Sequence, residues 1–319
     1  MAYLIGTDEA GFGPNLGPLT VSATVWRIPP SLVDANLYDV LSPVVSANLT
    51  DEQQRIVIAD SKQLYKPHGS WKHLEAGIWA YFATKHTNLP TTWQDVWNWL
   101  SPDALARMET LAWYQDVAIE LPRDLDLDDF TRGQRFAEEL HRLGIQLQRM
   151  ETVVVLPAEF NVMVDQLGSK GRLLSHVTLQ LVRRILSTLD DEPVFVVYDK
   201  HGGRNNYAPL LQELFNQSLV QVASESRAES VYRLGTPQQP VQMAFRMKGE
   251  SFLPTALASM ASKYLRELAM FAFNAYWQKQ VPELRATAGY PQDAKRFRID
   301  IDAAVHKLHL NESTLWRKR

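Results

Sequence analysis

The sequence has no cysteine among its 319 residues. Disulfide frameworks and thiolate metal sites are thereby excluded, and no catalytic nucleophile can be a thiol. No apolar run approaches the roughly 18–20 residues that a membrane helix needs. The opening, Met1-Ala2-Tyr3-Leu4-Ile5-Gly6-Thr7-Asp8, has no basic stretch before its apolar one and reaches acids at once, so it does not read as a signal peptide. A basic surplus is missing too. The formal net charge is −3, whereas non-specific nucleic-acid binders usually carry a basic footprint. A site built from carboxylates and metal ions, however, would hide its positive charge in the cations. The expectation from these absences is a cytoplasmic protein without membrane contact.

What is present is ordinary globular composition, 45% hydrophobic and 22% charged, enough for one large domain or two modest ones. Tyr3 to Thr7 reads as a strand that ends in Asp8-Glu9-Ala10-Gly11-Phe12-Gly13-Pro14. From Leu19 to Ile28, Val21, Ala23 and Val25 alternate with Ser22, Thr24 and Trp26, the period-2 signature of a second strand. Helical spacing follows from Trp71 to about Lys85. The stretch from about 86 to 130 is Trp-rich and punctuated by Pro90, Pro102 and Pro122, and reads as a helical insertion packing its own aromatics. Asp124, Asp126, Asp128 and Asp129 lack the glycine and terminal glutamate of a calcium hand, and they precede a helix, whose positive end favours acids.

Further on, Ile145 to Leu156 reads as a strand and Arg172 to Leu189 as an amphipathic helix. Val194-Phe195-Val196-Val197-Tyr198 has the all-apolar character of a buried central strand, and Asp199 follows it. Shorter strands are expected over Leu219–Ala223 and Val241–Met247. Helical spacing runs from Pro254 to Trp277, starting with small residues that allow close approach to a sheet. Strands interleaved with helices predict a layered α/β fold, in one domain spanning 1–319 with a mainly helical C-terminal part from about 251.

Two acids thus stand at strand ends, Asp8 and Asp199, where open α/β sheets bind ligands. Successive strand residues face opposite ways, so Glu9 can share a site with Asp8 only if the chain turns there. Gly11 and Gly13 make such a turn cheap. Lys263 and Glu267, four apart, share a helix face, which by itself suggests a surface ion pair.

The motifs Asp8-Glu9-Ala10-Gly11-x-Gly13-Pro14, Gly17-Pro18 and Asp60-Ser61-Lys62-x-Leu64 resemble the opening of the ribonuclease HII family. The family's third acid ends a central strand, as Asp199 does. Its late helix carries alanine-serine, lysine and an arginine-aspartate pair, matched in register by Ala258-Ser259, Lys263 and Arg266-Glu267. Gly289-Tyr290 resembles the family's glycine-tyrosine near the RNA–DNA junction. These matches run in order over residues 6 to 290.

The resemblance implies a ribonuclease H-like fold, with a central mixed sheet flanked by helices. It also implies an endonuclease that cuts RNA in RNA/DNA hybrids or at ribonucleotides within DNA duplexes, leaving 5′-phosphate and 3′-hydroxyl ends. Mg²⁺ or Mn²⁺ would be held by Asp8, Glu9, Asp199 and Glu267, an oxygen-only set that suits hard cations. Two such ions about 3.5–4 Å apart serve in-line displacement at phosphorus. Ser61 of the third motif is an expected substrate contact, and Lys62, Lys263 and Arg204 are the expected phosphate contacts. Gly11, Phe12, Gly13 and Tyr290 are the expected ribose contacts. The protein is expected to act as a monomer. His201 could move a proton, but a loop histidine is ordinarily solvated, so it stays outside the catalytic set.

The chain also departs from the family. Phe12 stands where the family has arginine, Lys295 where a histidine is expected, and the 86–130 stretch has no counterpart. A nucleic-acid-binding protein of the same fold that has lost catalysis is the alternative these departures motivate. A second alternative rests on Gly6-x-Asp8-x-x-Gly11, which also resembles the first phosphate loop of actin-like sugar kinases. Those enzymes need further glycine-rich loops, and only Gly202-Gly203 is on offer.

Overall fold

The computed structural model describes residues 1–66, 69–85 and 88–318. The expected start of the insertion, at about residue 86, lies outside the described residues. Strands β1 (Ala2–Ala10) and β2 (Leu19–Ile28) form an antiparallel pair. A short helix α1 (Leu37–Val40) leads to the two-residue strands β3 (Val45–Ser46) and β4 (Ile56–Val57), a small parallel pair not expected from the residues there. Helices α2 (Ser61–Leu64), α3 (Lys72–Ala83), α4 (Trp93–Leu100), α5 (Pro102–Met108) and α6 (Leu127–Arg142) follow. Then come β5 (Gln146–Val155), α7 (Pro157–Leu167), α8 (Lys170–Leu186), β6 (Val194–Asp199) and α9 (Ala208–Leu214). The chain finishes with β7 (Gln221–Glu225), β8 (Glu229–Gly235), β9 (Pro240–Arg246), α10 (Leu253–Gln280) and α11 (Pro291–Lys307).

Seven strands make one mixed sheet in the order β5-β2-β1-β6-β9-β8-β7. β1, β6 and β9 are parallel neighbours at its centre, and the outer pairs are antiparallel. One face packs against α8 and α9 through Tyr3, Ile5, Val21, Val25, Leu181 and Ile185. The other carries α10, α3 and the Trp-rich segment. This is the layered α/β arrangement with a central mixed sheet, flanking helices and a helical C-terminal part.

The polar half of β2 does not face water. Thr20, Ser22 and Thr24 are fully buried because α10 lies over them. Thr20 Oγ1 donates to the Ser262 carbonyl at 2.9 Å and Thr24 Oγ1 to the Pro254 carbonyl at 2.7 Å. Ser262 Oγ reaches both the Asp8 carbonyl and Ser22 Oγ, and Ser22 meets Thr152. Buried hydroxyls need partners, and here the helix and sheet supply them to one another. Gly6 makes the close packing possible: a Cβ there would sit 2.1 Å from Thr255 N.

The tryptophans from Trp71 to Trp113 are core, not stacking platforms. Trp93 and Trp97 are 1% and 0% exposed, and Trp113 packs edge-on to Phe273 and Tyr276 of α10. Among the acids ahead of α6, Asp126 caps the helix through a reciprocal box with Asp129, and Asp124 accepts from Ser70 and Trp71. No helix among the described residues is long and apolar enough to cross a membrane.

Candidate active site

β1 and β6 run parallel in register from Tyr3 opposite Val194 to Thr7 opposite Tyr198. The next residues, Asp8 and Asp199, therefore lie side by side where the β1–β6 pairing ends. The chain does not turn at Asp8, as the sequence suggested it must: β1 continues to Ala10, paired with β2 throughout. Glu9 joins the site differently. The pairing with β6 stops at Thr7, so the last three residues of β1 project beyond their neighbour with one flank open.

The charges show how close these groups are. Burial pushes the Asp8 carboxyl well above the ordinary carboxylate range, Glu9 and Asp199 push it further, and a hydrogen bond with Ser259 acts the other way. Glu9 is raised by burial and by Asp199, with Lys62 opposing. Asp199 Oδ1 accepts from Gly249 N at 3.0 Å. That bond anchors a short turn, Gly249–Ser251, whose Glu250 carboxyl is raised by burial and by the charges of Asp199 and Asp60. Lys62 is the cation facing this group. Burial lowers its pKa, but Asp60, Asp8, Glu9 and Glu250 outweigh that and raise it.

Glu250 is thus an acid near Asp199 and Lys62 that sequence reading passed over. It lies four residues past β9, whereas Asp8 and Asp199 directly follow their apolar runs, so no strand-end signal marked it. Glu267, the residue expected there, has other partners. Its Oε1 pairs with Lys263 Nζ at 2.7 Å and Arg266 Nη1 at 3.2 Å. Lys263, in turn, lies 4.9 Å over the Tyr65 ring. Ser61 is buried and bonded to Ser259 Oγ at 2.9 Å, so it fastens α2 to α10 and is not open to a ligand.

Beyond Ala10 the chain bends at Gly11, whose φ of +87° favours glycine and whose missing Cβ would strike the Pro18 carbonyl and Arg266. Phe12 packs its ring against the core. The guanidinium of Arg317, 3% exposed, donates to the carbonyls of Gly11, Phe12 and Pro14. Asn15 and Arg317 exchange two further bonds. Gly289 closes the other side, accepting from Asn15 N at 2.8 Å, and places Tyr290, 51% exposed, beside the turn. Arg317 was missed because nothing in the sequence links it to a turn 306 positions earlier.

Arg204 is half-buried, its guanidinium 5.8 Å over the Tyr207 ring. His201 is not solvated, contrary to expectation. It is 6% exposed, bonded to Ser175 Oγ through Nδ1 at 3.1 Å and set edge-on to Tyr207 and Phe245. Burial, with Arg204 adding to it, pushes its pKa down to about 3. It is a neutral packing group.

Among the described residues no three histidines, aspartates or glutamates converge closely enough to form a finished metal cage. The donor set still suits a hard cation: the carboxylates of Asp8, Glu9, Asp199 and Glu250 repel one another in turn, three of them with raised pKa, and Lys62 faces them. Oxygen-only donors with excess negative charge are what Mg²⁺ and Mn²⁺ take.

No family model matches the sequence, and no curated protein does. Solved structures do match. The chain is similar to ribonuclease HII in its PCNA complex from Archaeoglobus fulgidus, at 12% identity over 99% of this chain and 94% of that one, with a TM-score of 0.44. It is similar to ribonuclease H2 from Pyrococcus horikoshii OT3 at 15% identity over 98% and 92%, TM-score 0.46. For Aquifex aeolicus RNase H3 the values are 13% identity over 98% and 71%, TM-score 0.42. At such identities and scores the likeness is one of outline.

Proposed function

We propose that this protein is a divalent-metal-dependent endonuclease that hydrolyses RNA in RNA/DNA hybrids or at ribonucleotides embedded in DNA duplexes. The observation that carries this reading is the corner formed by Asp8, Glu9, Asp199 and Glu250 with Lys62 opposite. The motifs around Asp8 and Asp60 direct it to ribonuclease chemistry. In this reading Glu250 takes the ligand role that the sequence suggested for Glu267.

Bound at this corner, Mg²⁺ or Mn²⁺ would supply a nucleophilic water and stabilise charge on the leaving oxygen. The chain's own residues do the positioning. Lys62 holds a phosphate oxygen, and its charge is kept by the surrounding acids. Arg317 occupies carbonyls of the Gly11–Pro14 turn, and the Phe12 and Gly13 amides have no backbone acceptor among the described residues, so the turn presents donors. Reading RNA over DNA requires a contact to the 2′-hydroxyl; these amides and the exposed Tyr290 ring are the groups at hand. Phe12 contributes no phosphate contact because its ring belongs to the core.

The test is a gel. End-labelled duplexes of DNA only, RNA/DNA hybrid, and DNA with one ribonucleotide are incubated with Mg²⁺ or Mn²⁺. The expected result is cleavage at ribonucleotides with 5′-phosphate products and an intact DNA-only duplex. Metal-independent cutting, or none with any substrate, would sink the proposal. Phe12 and Lys295, which depart from the motifs, motivate a second reading, a duplex-binding protein without catalysis. That reading predicts hybrid binding without cleavage in either metal, unchanged by Asp199→Asn.

A further inference from the structure

Beside the glycine turn lie two joined hollows that the acid corner does not use. One, of about 360 Å³, is lined by Gly13, Asn15, Lys170, Pro291, Gln292 and Lys295. The other, of about 180 Å³, shares Asn15, Pro291 and Lys295 and reaches Arg298 and Arg317. Gly13 opens onto free space, with nothing within 4 Å of where a Cβ would stand.

The surroundings favour an anion. α11 begins here with Tyr290 as its N-cap and no side-chain cap, so its first-turn amides and positive dipole end are available. α8 begins at Lys170 on the same hollow. Lys295 has no ion pair among the described residues. An independent sign comes from Arg317, which lines the smaller hollow: its guanidinium is buried and, among the described residues, pairs with no carboxylate and keeps Nη1 without a partner. The charge acting on it is another cation, Arg266. A buried guanidinium without a counter-ion is costly, and an anion in the adjoining hollow would offset that cost. Nearby acids are taken: Glu312 by Arg298, Asp165 by Lys318, Asp293 by Arg296 and Thr287.

We propose that this hollow is a phosphate subsite, holding a backbone phosphate of the bound duplex to one side of the scissile bond. It rests on the reading that the protein binds nucleic-acid duplexes, and it assigns Lys170 and Lys295 a role that the acid corner does not require.

The experiment measures binding of a DNA-only duplex to the full chain in chelator across a range of salt. For Lys170→Gln/Lys295→Gln, the slope of log K against log salt should fall by about 2 from wild type, roughly one per lysine. Lys307→Gln removes the same charge at the far end of α11 and should leave the slope unchanged. A second arm compares inorganic phosphate with chloride at equal ionic strength: phosphate should raise the wild-type melting temperature and not that of the double variant. Slope loss without a phosphate shift means that the hollow takes phosphate only as part of a strand, which upholds the proposal. A phosphate shift without slope loss, an equal phosphate shift in both proteins, or a slope loss for Lys307→Gln as large per charge overturns it. If the wild type binds no duplex at all, the proposed function fails, and the phosphate arm still decides whether the hollow is an anion site.

Discussion

Glu250 and Glu267 are both glutamates close to the acid corner, yet they sit in opposite electrostatic surroundings. Glu250 faces Asp199 and Asp60, and its carboxyl is raised. Glu267 is held by Lys263 and Arg266. Removing a repelled acid and removing the partner of two buried cations should have different signatures. Glu250→Gln is expected to cut the cleavage rate by at least about 100-fold while leaving the metal-free melting temperature equal or higher, since one repulsion is relieved. Glu267→Gln is expected to lower stability by about 3 kcal/mol, because it strands buried positive charge, and to retain cleavage within several-fold at low temperature. The reverse pattern would return the fourth ligand to Glu267. His201 offers a test of a different kind. Below the ordinary histidine pKa of 6.5, the unfolded chain takes up a proton that buried His201, held down to about 3, refuses. Its contribution to stability is therefore complete above 6.5 and is lost as pH falls toward 3. By about pH 5 the loss is about 2 kcal/mol. Urea titrations of wild type and His201→Gln at several pH values should show a shallower acid decline in the variant.

At the scale of elements, the placement of α10 decides whether the site exists. That helix supplies Ser259 to Asp8, Ser262 to the Asp8 carbonyl and Arg266 beneath Gly11. Its first turn can reach the sheet only because Gly6 has no side chain. Gly6→Ala should force the helix away from β1 and cost about 3 kcal/mol or more; a thermal shift of the variant within a degree of wild type would contradict the packing described. Most of these elements were legible. The apolar run at 194–198 became β6, the alternation at 19–28 became β2, and 3.6-residue spacing marked α8 and α10. Where the reading stopped short, tertiary context had overridden local signals. β1 was cut at Thr7 because an acid pair looked like a loop, although pairing with β2 carries the strand through it. β8 lacked enough apolar character to stand out, with Glu229, Ser230 and Arg233 in seven residues. Motif order pointed to Asp8, Glu9, Asp199 and Glu267, while Glu250 carried no motif, since it sits in a three-residue turn fixed by one bond to Asp199. Arg317 lay beyond any local rule.

For the molecule as a whole, the uneven charge at the acid corner should make folding sensitive to divalent ions. A cation that binds only the native state stabilises it by mass action, about 2.7 kcal/mol at 100 times its dissociation constant. Mg²⁺ or Mn²⁺ is therefore expected to raise the wild-type melting temperature by several degrees, and that of Asp199→Asn by less. Equal rises in the two proteins would place the ion elsewhere. The way Arg317 reaches back to the glycine turn has a consequence for biosynthesis. The two partners stand 306 positions apart, so at roughly 5–20 residues per second a ribosome needs on the order of 15–60 s between making one and making the other. Throughout that interval the nascent chain holds Gly11 to Pro14 without the guanidinium that binds their carbonyls. The turn gains that guanidinium only once Arg317 has been made and has folded back onto it.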